Sequence, residues 1–195
     1  PELIKMFTVI KELDGAFNNK LIWSGQHYDY AMVKKNFNDV QLRRPDIQFK
    51  INRKKNVFFQ MQEQIYNIIL KHKPKAIIYH GDTYTTLASS LVSNFFFPNI
   101  KKIHIEGGYR SSDKTQIEER ARTTSDQLSD IIFVSRNEDK KNLFKENVKS
   151  NVFVVGNSVY QALQNIIKNS KKKSLNAKKY SLKHNKFIYV TIHRS

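Results

Sequence analysis

Residues 76–94 read AIIYHGDTYTTLASSLVSN, and this stretch decides the predicted fold. Its first five residues, Ala76–His80, form a short run of apolar and aromatic side chains without polar alternation, which is typical of a strand covered on both faces. Gly81 and Asp82 then mark a tight turn, and Thr83–Asn94 carries apolar side chains at helical spacing. A strand, a glycine turn and a helix in this order predict one unit of a parallel sheet.

The same alternation repeats along the chain. Further strands are predicted at five short apolar or aromatic runs: Lys20–Ser24, Ile103–Glu106, Asp130–Ser135, Asn151–Val155 and Lys186–Ile192. Further helices are predicted at five segments with helical periodicity: Glu2–Leu13, Phe58–Lys71, Glu118–Leu128, Asn137–Asn147 and Val159–Asn169. Repeated β-α units predict an α/β protein with a doubly wound, mostly parallel, Rossmann-like sheet.

The predicted elements divide the chain into three parts. Residues 1–167 are expected to form one Rossmann-like domain that lacks its first strand, because no strand precedes the helix beginning at Glu2. Residues 168–186 contain eight lysines and no acidic residue, which indicates a linker. Residues 187–195 are expected to open a second, truncated domain with its first strand.

Composition narrows the class of protein. Hydrophobic residues at 39% and aromatic residues at 12% exclude a disordered chain. The sequence has no apolar run of about 18 residues, so no membrane span is predicted, and no export signal is recognisable. The absence of cysteine excludes disulfides and thiolate catalysis. We therefore expect a cytoplasmic protein with no membrane partner.

The net charge of +17 raises a second class of function, a basic nucleic-acid-binding module. The lysine-rich stretch 168–186 has Tyr180 as its one aromatic residue, and no nucleic-acid recognition motif is present. Substrates that carry phosphates would gain from the same positive field. Nucleic-acid binding is therefore kept only as a remote alternative.

Polar residues that suit acid–base chemistry follow the predicted strands. In open parallel sheets, ligands bind beyond the carboxyl ends of the strands. Carboxylates and imidazoles there are natural proton donors and acceptors, which favours an enzyme that moves protons. The segments at those ends are Ser24-Gly25-Gln26-His27, His80-Gly81-Asp82-Thr83, Glu106-Gly107-Gly108 and His193-Arg194.

Each of these residues also has a structural alternative. Asp82 could cap the helix from Thr83, and Gln26 and His27 could cap a helix near Asp29–Phe37. Glu118 could be the acid of a capping box with Thr115. A functional role is favoured for Glu106, because a carboxylate that ends an apolar strand is costly to desolvate unless it is paired or used.

The sequence shows no motif for a metal site, a phosphate-binding loop or a dinucleotide cofactor. His80, inside an aromatic and aliphatic strand, is predicted to be a hydrogen-bonded core histidine. No cysteine–histidine cluster or paired-histidine helix suggests a metal site. Neither a phosphate-binding loop of the G-x-x-x-x-G-K-[ST] type nor a full G-x-G-x-x-G is present, so no redox cofactor is expected either.

Taken in order, the strand-end segments resemble the non-hydrolysing UDP-N-acetylglucosamine 2-epimerases over nearly the whole chain. The family motifs P-E-x-I-K-M, T-G-Q-H, H-G-D-T-x-T-x-L-A, H-x-E-A-G-L-R, P-E-E-x-N-R, V-x-G-N-T-V-x-D-A-L and H-R-x-E-N are similar to residues 1–6, 24–27, 80–88, 104–110, 117–122, 155–163 and 193–195. Among the positions that depart from these motifs, Gly107 replaces an alanine, Tyr109 a leucine, Ile117 a proline and Ala121 an asparagine.

The resemblance implies a two-domain fold of the glycosyltransferase-B type, of which this chain is the first half. It implies an isomerase that inverts C2 of UDP-N-acetylglucosamine to give UDP-N-acetylmannosamine, by elimination and re-addition of UDP. UDP-N-acetylglucosamine and UDP are the expected ligands, without metal or other cofactor, and a homodimer is usual in the family. A hydrolysing 2-epimerase and a related nucleotide-sugar glycosyltransferase remain alternatives, and this fragment alone is expected to be inactive.

The resemblance also assigns roles to residues of this chain. It predicts that Asp82, Glu106 and Glu118 are the catalytic acids, without saying which removes the proton and which returns it. It predicts that Lys5 and His193 contact UDP, where positive charge suits a diphosphate. Sugar-side or supporting roles are predicted for Gln26, His27, Arg110 and Arg122.

Overall fold

The computed structural model describes residues 2–25, 37, 42–170, 180–181, 186–188 and 190. Among the predicted site residues, Gln26, His27 and His193 lie outside the described residues. Most of the predicted linker, residues 168–186, lies outside them as well. The expected strand Lys186–Ile192 is described only at residues 186–188 and 190, and these are not in a strand.

Helices and strands alternate in the described chain from Ile47 onward. They are α1 (Glu2–Ala16), β1 (Ile22–Trp23), β2 (Ile47–Gln48), α2 (Val57–His72), β3 (Ala76–His80), α3 (Tyr84–Phe96), β4 (Lys101–Ile105), α4 (Ile117–Gln127), β5 (Ile131–Val134), α5 (Asn137–Lys145), β6 (Asn151–Val154) and α6 (Ser158–Ser170). Strands β3-β4-β5-β6 form a parallel sheet in sequence order, and β1 and β2 form a separate parallel pair.

This architecture confirms the predicted α/β class and the parallel sheet. All six predicted helices are present, with ends that differ by at most a few residues. The short strand β2 was not predicted: it lies where Ile47, Phe49 and Ile51 alternate with polar residues, without the continuous apolar run that marks the other strands. The predicted strand ending at Glu106 in fact ends at Ile105, and Glu106 adopts a left-handed backbone conformation instead.

The strand register brings the polar turns to one edge of the sheet. His80 at the end of β3 pairs with Ile105 at the end of β4, and Ile105 pairs with Phe133 of β5. The ladder continues past the strands, since the Gly81 N–H donates to the Ile105 carbonyl at 2.9 Å and the Glu106 N–H donates to the Phe133 carbonyl at 3.0 Å. The segments after β3 and β4 are therefore adjacent at the carboxyl edge.

Apolar packing holds the helices against the strands. Met61, Ile65 and Ile69 form the buried stripe of α2 and pack with Ala88 and Val92 of α3. Truncating a buried side chain such as Met61 to alanine typically costs about 2–5 kcal/mol. A second cluster joins α1 to α6, and a third joins β5 to α5. These clusters fix α1, which carries Lys5, and α3, which follows the turn at Gly81 and Asp82.

Among the described residues, none of the helices has both the length and the apolar character needed to cross a membrane. Within the same residues, β1 and β3 are edge strands, and each exposes an isoleucine, Ile22 and Ile78. The domain boundaries at residues 167 and 186 stay predictions.

Candidate active site

The turn after β3 presents Asp82 to a cleft. Gly81 has φ +68, a conformation that favours glycine, and a Cβ atom there would lie 3.2 Å from the Glu2 carboxylate. Thr83, not Asp82, caps α3 by accepting a hydrogen bond from the Thr86 N–H at 3.3 Å. The structural alternative for Asp82, a helix cap, is therefore wrong.

Glu106 follows β4 in a conformation that is unusual for a residue with a side chain. Its φ is +66, and a non-glycine residue in this region costs about 1–2 kcal/mol. Such strain persists only where surrounding contacts hold it, and it is concentrated at functional sites. Here Lys5 Nζ lies 2.8 Å and His80 Nε2 lies 2.9 Å from Oε2 of Glu106.

His80 links Glu106 to the start of α1. Its imidazole is buried between two carboxylates, with Nδ1 against Glu2 and Nε2 against Glu106. The four atoms are at ion-pair distance, but the N–H directions fall short of hydrogen-bond alignment. Burial alone would lower the pKa of His80, but the two carboxylates outweigh it and raise the pKa. The predicted role of His80 as an ordinary core histidine is thus incomplete.

The opposite wall of the cleft is organised by Arg122 of α4. Its guanidinium forms ion pairs with Asp82 and with the buried carboxylate of Glu119. The same guanidinium lies 4.9 Å from the ring centroid of Tyr109, in cation–π contact. Arg122 is thereby fixed from three sides, and it holds Asp82 at the mouth of the cleft.

These residues enclose a cleft of about 220 Å³. Its lining contains two acids, two cations, a glycine turn and one aromatic ring: Asp82, Glu106, Lys5, Arg122, Gly81 and Tyr109. A larger depression of about 410 Å³ lies at the other edge of the sheet, around Lys101 and Asp130. We assign the site to the smaller cleft, because ligands of open parallel sheets bind at the carboxyl ends of the strands.

The electrostatics of the cleft keep its groups charged. Burial would raise the pKa of Glu106, but contacts with His80 and Lys5 outweigh that effect and lower the pKa to about 2. Burial would likewise lower the pKa of Lys5, whereas its hydrogen bond to Glu106 raises it. At neutral pH Glu106 is therefore a carboxylate, able to accept a proton, and Lys5 is an ammonium beside it.

A buried network under the cleft fixes the two turns. His104 is fully buried; its Nδ1 lies 2.8 Å from Asp126 Oδ1, and its Nε2 lies 2.8 Å from the Gly81 carbonyl oxygen. The pKa of Asp126 is lowered despite burial, which alone would raise it, because His104 and Arg110 bind the carboxylate. Through these two contacts the His104 ring joins α4 to the turn after β3.

The Glu106–Gly108 turn is tied to the same network. The Gly108 N–H donates to Asp126 Oδ2 at 3.1 Å, and Arg110 donates to the same oxygen at 2.8 Å. A Cβ atom on Gly107 would clash with the Asp126 carboxylate and would lie 2.5 Å from Ile132 Cγ2. The glycine that replaces the motif's alanine at position 107 thus matches the space that is available.

The structure brings together four of the predicted residues: Lys5, Asp82, Glu106 and Arg122. Arg110 is not among the cleft-lining residues, since its guanidinium binds Asp126 and forms two hydrogen bonds with Glu146 at 2.7 and 2.6 Å. This geometry agrees with the supporting role in its prediction and does not show contact with a sugar.

Glu118 is placed differently from the other predicted acids. It lies in the first turn of α4 with an exposed side chain, outside the cleft lining. The capping box with Thr115 is wrong, because the Thr115 hydroxyl binds Asp113 and the N-cap residue is Gln116, without a side-chain cap. Neither the catalytic role nor the cap explains the position of Glu118 in this half of the molecule.

Three residues at or near the cleft were not predicted to belong to the site: Glu2, His80 and Glu119. Two of them left a signal in the sequence. Glu2 precedes Lys5 by three residues, which places both on one face of a helix, and His80 directly precedes the Gly81 turn. Glu119 is adjacent to Glu118, and helical phase alone did not show which of the two faces inward.

The donor set of Glu2, His80 and Glu106 is compact enough to hold a metal ion, with ligand atoms within 4.8 Å of one another. The position that a cation would take is bordered by the Lys5 ammonium, 2.8 Å from Glu106 and 3.9 Å from Glu2. Since a metal ion would have to displace that ammonium, the cluster is better described as an ion-pair network.

Comparisons with known proteins agree with this geometry. The sequence profile of a family described as UDP-N-acetylglucosamine 2-epimerase matches residues 11–195. A UDP-N-acetylglucosamine 2-epimerase homolog of Methanococcus maripaludis is 33% identical over 198 residues, which cover all of this chain and 55% of that protein.

Solved structures show the same likeness. The UDP-GlcNAc 2-epimerase of Methanocaldococcus jannaschii, in complex with UDP-GlcNAc and UDP, superposes with a TM-score of 0.83 at 30% identity, over 92% of this chain and 51% of that one. The enzyme of Neisseria meningitidis bound to UDP-GlcNAc superposes with a TM-score of 0.80 at 26% identity, over 91% of this chain and 49% of that one. The chain thus spans about half the length of these relatives, and it belongs to the UDP-N-acetylglucosamine 2-epimerase family.

Proposed function

We propose that this chain carries the sugar-side half of an active site that converts UDP-N-acetylglucosamine to UDP-N-acetylmannosamine. One observation carries the proposal: Asp82 and Glu106 line the same cleft, and each is held by its own cation, Arg122 for Asp82 and Lys5 for Glu106. Family membership and the nucleotide-sugar complexes of the two relatives support it.

The proposed reaction proceeds by elimination and re-addition. A base removes the proton from C2 of the sugar, the C1–O bond breaks, and UDP departs with the bonding electrons to leave 2-acetamidoglucal. A UDP oxygen then forms a new bond to C1 from the same side, while an acid returns a proton to the opposite face of C2. Two faces of one carbon must be served, so more than one carboxyl group is needed.

Asp82, Glu106 and Glu118 form the proposed acid–base set. Glu106 is ionised and Asp82 is ion-paired across the cleft, so the two can approach a sugar ring from different sides. The proposal does not assign which of them removes the proton. Glu118 stays in the set through the resemblance, and its exposed position would be covered only by a part of the protein outside the described residues.

Positive groups serve the diphosphate in this proposal. Lys5 lines the cleft as an ammonium that donates to Glu106, and its other N–H groups would donate to phosphate oxygens of bound UDP. Positively charged donors directed at a departing diphosphate stabilise the charge that develops on it. His193 is the second proposed UDP contact, and Gln26 and His27 are proposed sugar-side groups.

The test uses the full-length protein with UDP-N-acetylglucosamine in deuterated water. We expect UDP-N-acetylmannosamine as product, with deuterium at C2 and with UDP still attached. Release of free N-acetylmannosamine and UDP would show a hydrolysing epimerase. Transfer of the sugar to an added acceptor, without exchange at C2, would show a glycosyltransferase. Absence of any exchange at C2 would contradict the proposal.

A homodimer and a cytoplasmic location complete the proposal. Four exposed apolar side chains on α2 and α3 support a contact between two copies of this domain: Tyr66, Leu70, Phe95 and Phe96. Tyr66 and Phe96 already stack edge to face with ring centroids 5.4 Å apart. Light scattering of the full-length protein should give twice the chain mass, and Phe96→Asp should shift it toward the monomer.

A further inference from the structure

We propose that Glu2 and His80 are a positioning pair for the reaction: His80, anchored by Glu2, holds the Glu106 carboxylate so that one of its oxygens faces the substrate. This inference rests on the proposed function. It concerns two residues that the motif resemblance did not single out for any role, and it assigns them action through Glu106 without contact with the sugar.

The geometry of Glu106 is the first argument. Lys5 and His80 both contact the same oxygen, Oε2, at 2.8 and 2.9 Å. Among the described residues, no hydrogen bond or ion pair is made by Oε1, and this oxygen is not a buried unpaired atom. Oε1 is therefore open to the cleft, which is the arrangement that a carboxylate needs to exchange a proton with a bound substrate.

The position of His80 is the second argument. The ring is buried at the end of β3, and its two nitrogens face carboxylates that come from different elements, Glu2 from α1 and Glu106 from the end of β4. A buried charged group is costly unless it is paired. An imidazolium here compensates two carboxylates at once, and it ties α1 to the strained Glu106 turn.

The charges around Glu106 determine how its pKa would respond to removal of the His80 imidazolium. The groups around Glu106 are His80 at the end of β3 and the two α1 residues Lys5 and Glu2. Asp82 and Arg122 line the same cleft. Loss of the imidazolium would leave two carboxylates close together with one ammonium between them. Because a nearby like charge disfavours ionisation, the pKa of Glu106 should rise from its depressed position.

The experiment compares His80→Gln and Glu2→Gln in the full-length enzyme with two control variants, His72→Gln and Glu12→Gln. His72 ends α2, and Glu12 is an exposed residue of α1. The rate is followed as kcat and KM from about pH 2.5 to 9, together with deuterium exchange at C2. Circular dichroism shows whether each variant is folded, and Glu2→Gln serves if His80→Gln is not, since the Glu2 side chain is 37% exposed.

We expect kcat to fall about 10- to 100-fold in both test variants, a typical range for a disturbed proton-transfer group, while KM stays within about threefold. The acid limb of the kcat profile should move to higher pH, and the controls should leave both quantities unchanged. An acid limb that does not move in folded variants would overturn the inference, because a merely structural role would reduce the amount of active enzyme without moving the limb.

Two further outcomes would also decide the matter. Loss of wild-type activity with a chelator, restored by a divalent cation, would show that Glu2, His80 and Glu106 hold a metal and would overturn the positioning role. Absence of C2 exchange in the wild type would overturn the proposed function and this inference together. Wild-type exchange with an unmoved acid limb in the variants would overturn this inference alone.

Discussion

The Lys5 ammonium donates a hydrogen bond of 2.8 Å to Oε2 of Glu106, across 101 residues of sequence. This contact joins the first turns of α1 to the end of β4, and it closes one wall of the cleft. The opposite wall has the same plan, because Arg122 of α4 holds Asp82. Two carboxylates, each oriented by a cation from a different helix, are the relationship on which the proposed chemistry depends.

Asp82→Asn and Glu106→Gln should each abolish turnover of the full-length enzyme, with a loss of at least about 10²–10⁴-fold. The physical reason is that an amide of the same shape can neither take nor return a proton. Steady-state conversion of UDP-N-acetylglucosamine measures the loss, and thermal unfolding shows that the fold is retained. Glu63→Gln on the exposed side of α2 is the control. Normal activity in both variants would remove the acids from the site.

Glu118→Gln should leave the stability almost unchanged, whereas Glu119→Gln should lower it. Glu119 is buried and ion-paired with Arg122, so its neutralisation should cost up to about 3–5 kcal/mol of unfolding free energy. Glu118 is exposed, so its replacement should leave the unfolding free energy within about 0.5 kcal/mol and lower only kcat. Chemical denaturation and kinetics on the same samples separate the two. Wild-type kcat for Glu118→Gln would exclude this residue from the acid–base set.

His104→Gln should destabilise the domain more than His72→Gln does. His104 is fully buried and contacts Asp126 and the Gly81 carbonyl through its two ring nitrogens, and a glutamine side chain, whose N–H groups share one nitrogen, cannot reach both. Leaving a buried carboxylate without one of its partners typically costs about 3–5 kcal/mol. Denaturant unfolding measures the difference. Equal stability of the two variants would mean that the His104 network is not maintained.

Stability should fall in acid in a way that depends on Glu106. The pKa of Glu106 is about 2 in the folded chain against an ordinary value of 4.5, so its contribution is complete above pH 4.5 and is lost as the pH falls toward 2. Asp126, whose pKa is also lowered, acts in the same direction. Unfolding free energies measured between pH 2 and 6 should show a shallower slope for Glu106→Gln. The same slope in both proteins would contradict the ion-pair network.

Gly107→Ala should lower the melting temperature, and Gly15→Ala should raise it. A methyl group on Gly107 would meet Asp126 and Ile132, whereas one on Gly15, within α1, meets no atom within 4 Å. Alanine in place of a helical glycine stabilises by about 0.5–1 kcal/mol. Thermal unfolding measures the melting temperatures of both variants against that of the wild type. A neutral Gly107→Ala would show that the buried network shifts easily to admit the methyl group.

Most of the secondary structure could be predicted because its signals are local. Continuous apolar runs such as Ala76–His80 mark buried parallel strands, and the helical periodicity of Val57–His72 is carried by side chains three and four residues apart. The segment that holds β2 has no continuous apolar run; Ile47, Phe49 and Ile51 alternate with polar residues, a local pattern of a half-buried strand that the prediction missed. The pairing of β2 with β1, about 25 residues away, is decided only by the tertiary structure.

Part of the site could be predicted for the same reason. Motif order and strand-end position pointed to Lys5, Asp82, Glu106 and Arg122, and these residues share one cleft. Which of the adjacent acids Glu118 and Glu119 faces inward could not be predicted from sequence. A helix places them about 100° apart, and only packing shows which one is buried. Arg110 was predicted to be a sugar-side or supporting group, and its partners Asp126 and Glu146 could not be foreseen.

The amino-acid sequence by itself determined the α/β class, the parallel order of strands and the family, because apolar periodicity, glycine turns and motif spacing are properties of neighbouring residues. Only the tertiary structure decided which charges meet. The ion pairs of His80 with Glu2 and Glu106, and of Arg122 with Asp82, join different elements at distances set by strand register and helix packing. These pairs join residues that are far apart in sequence, so they can be identified only from the three-dimensional structure.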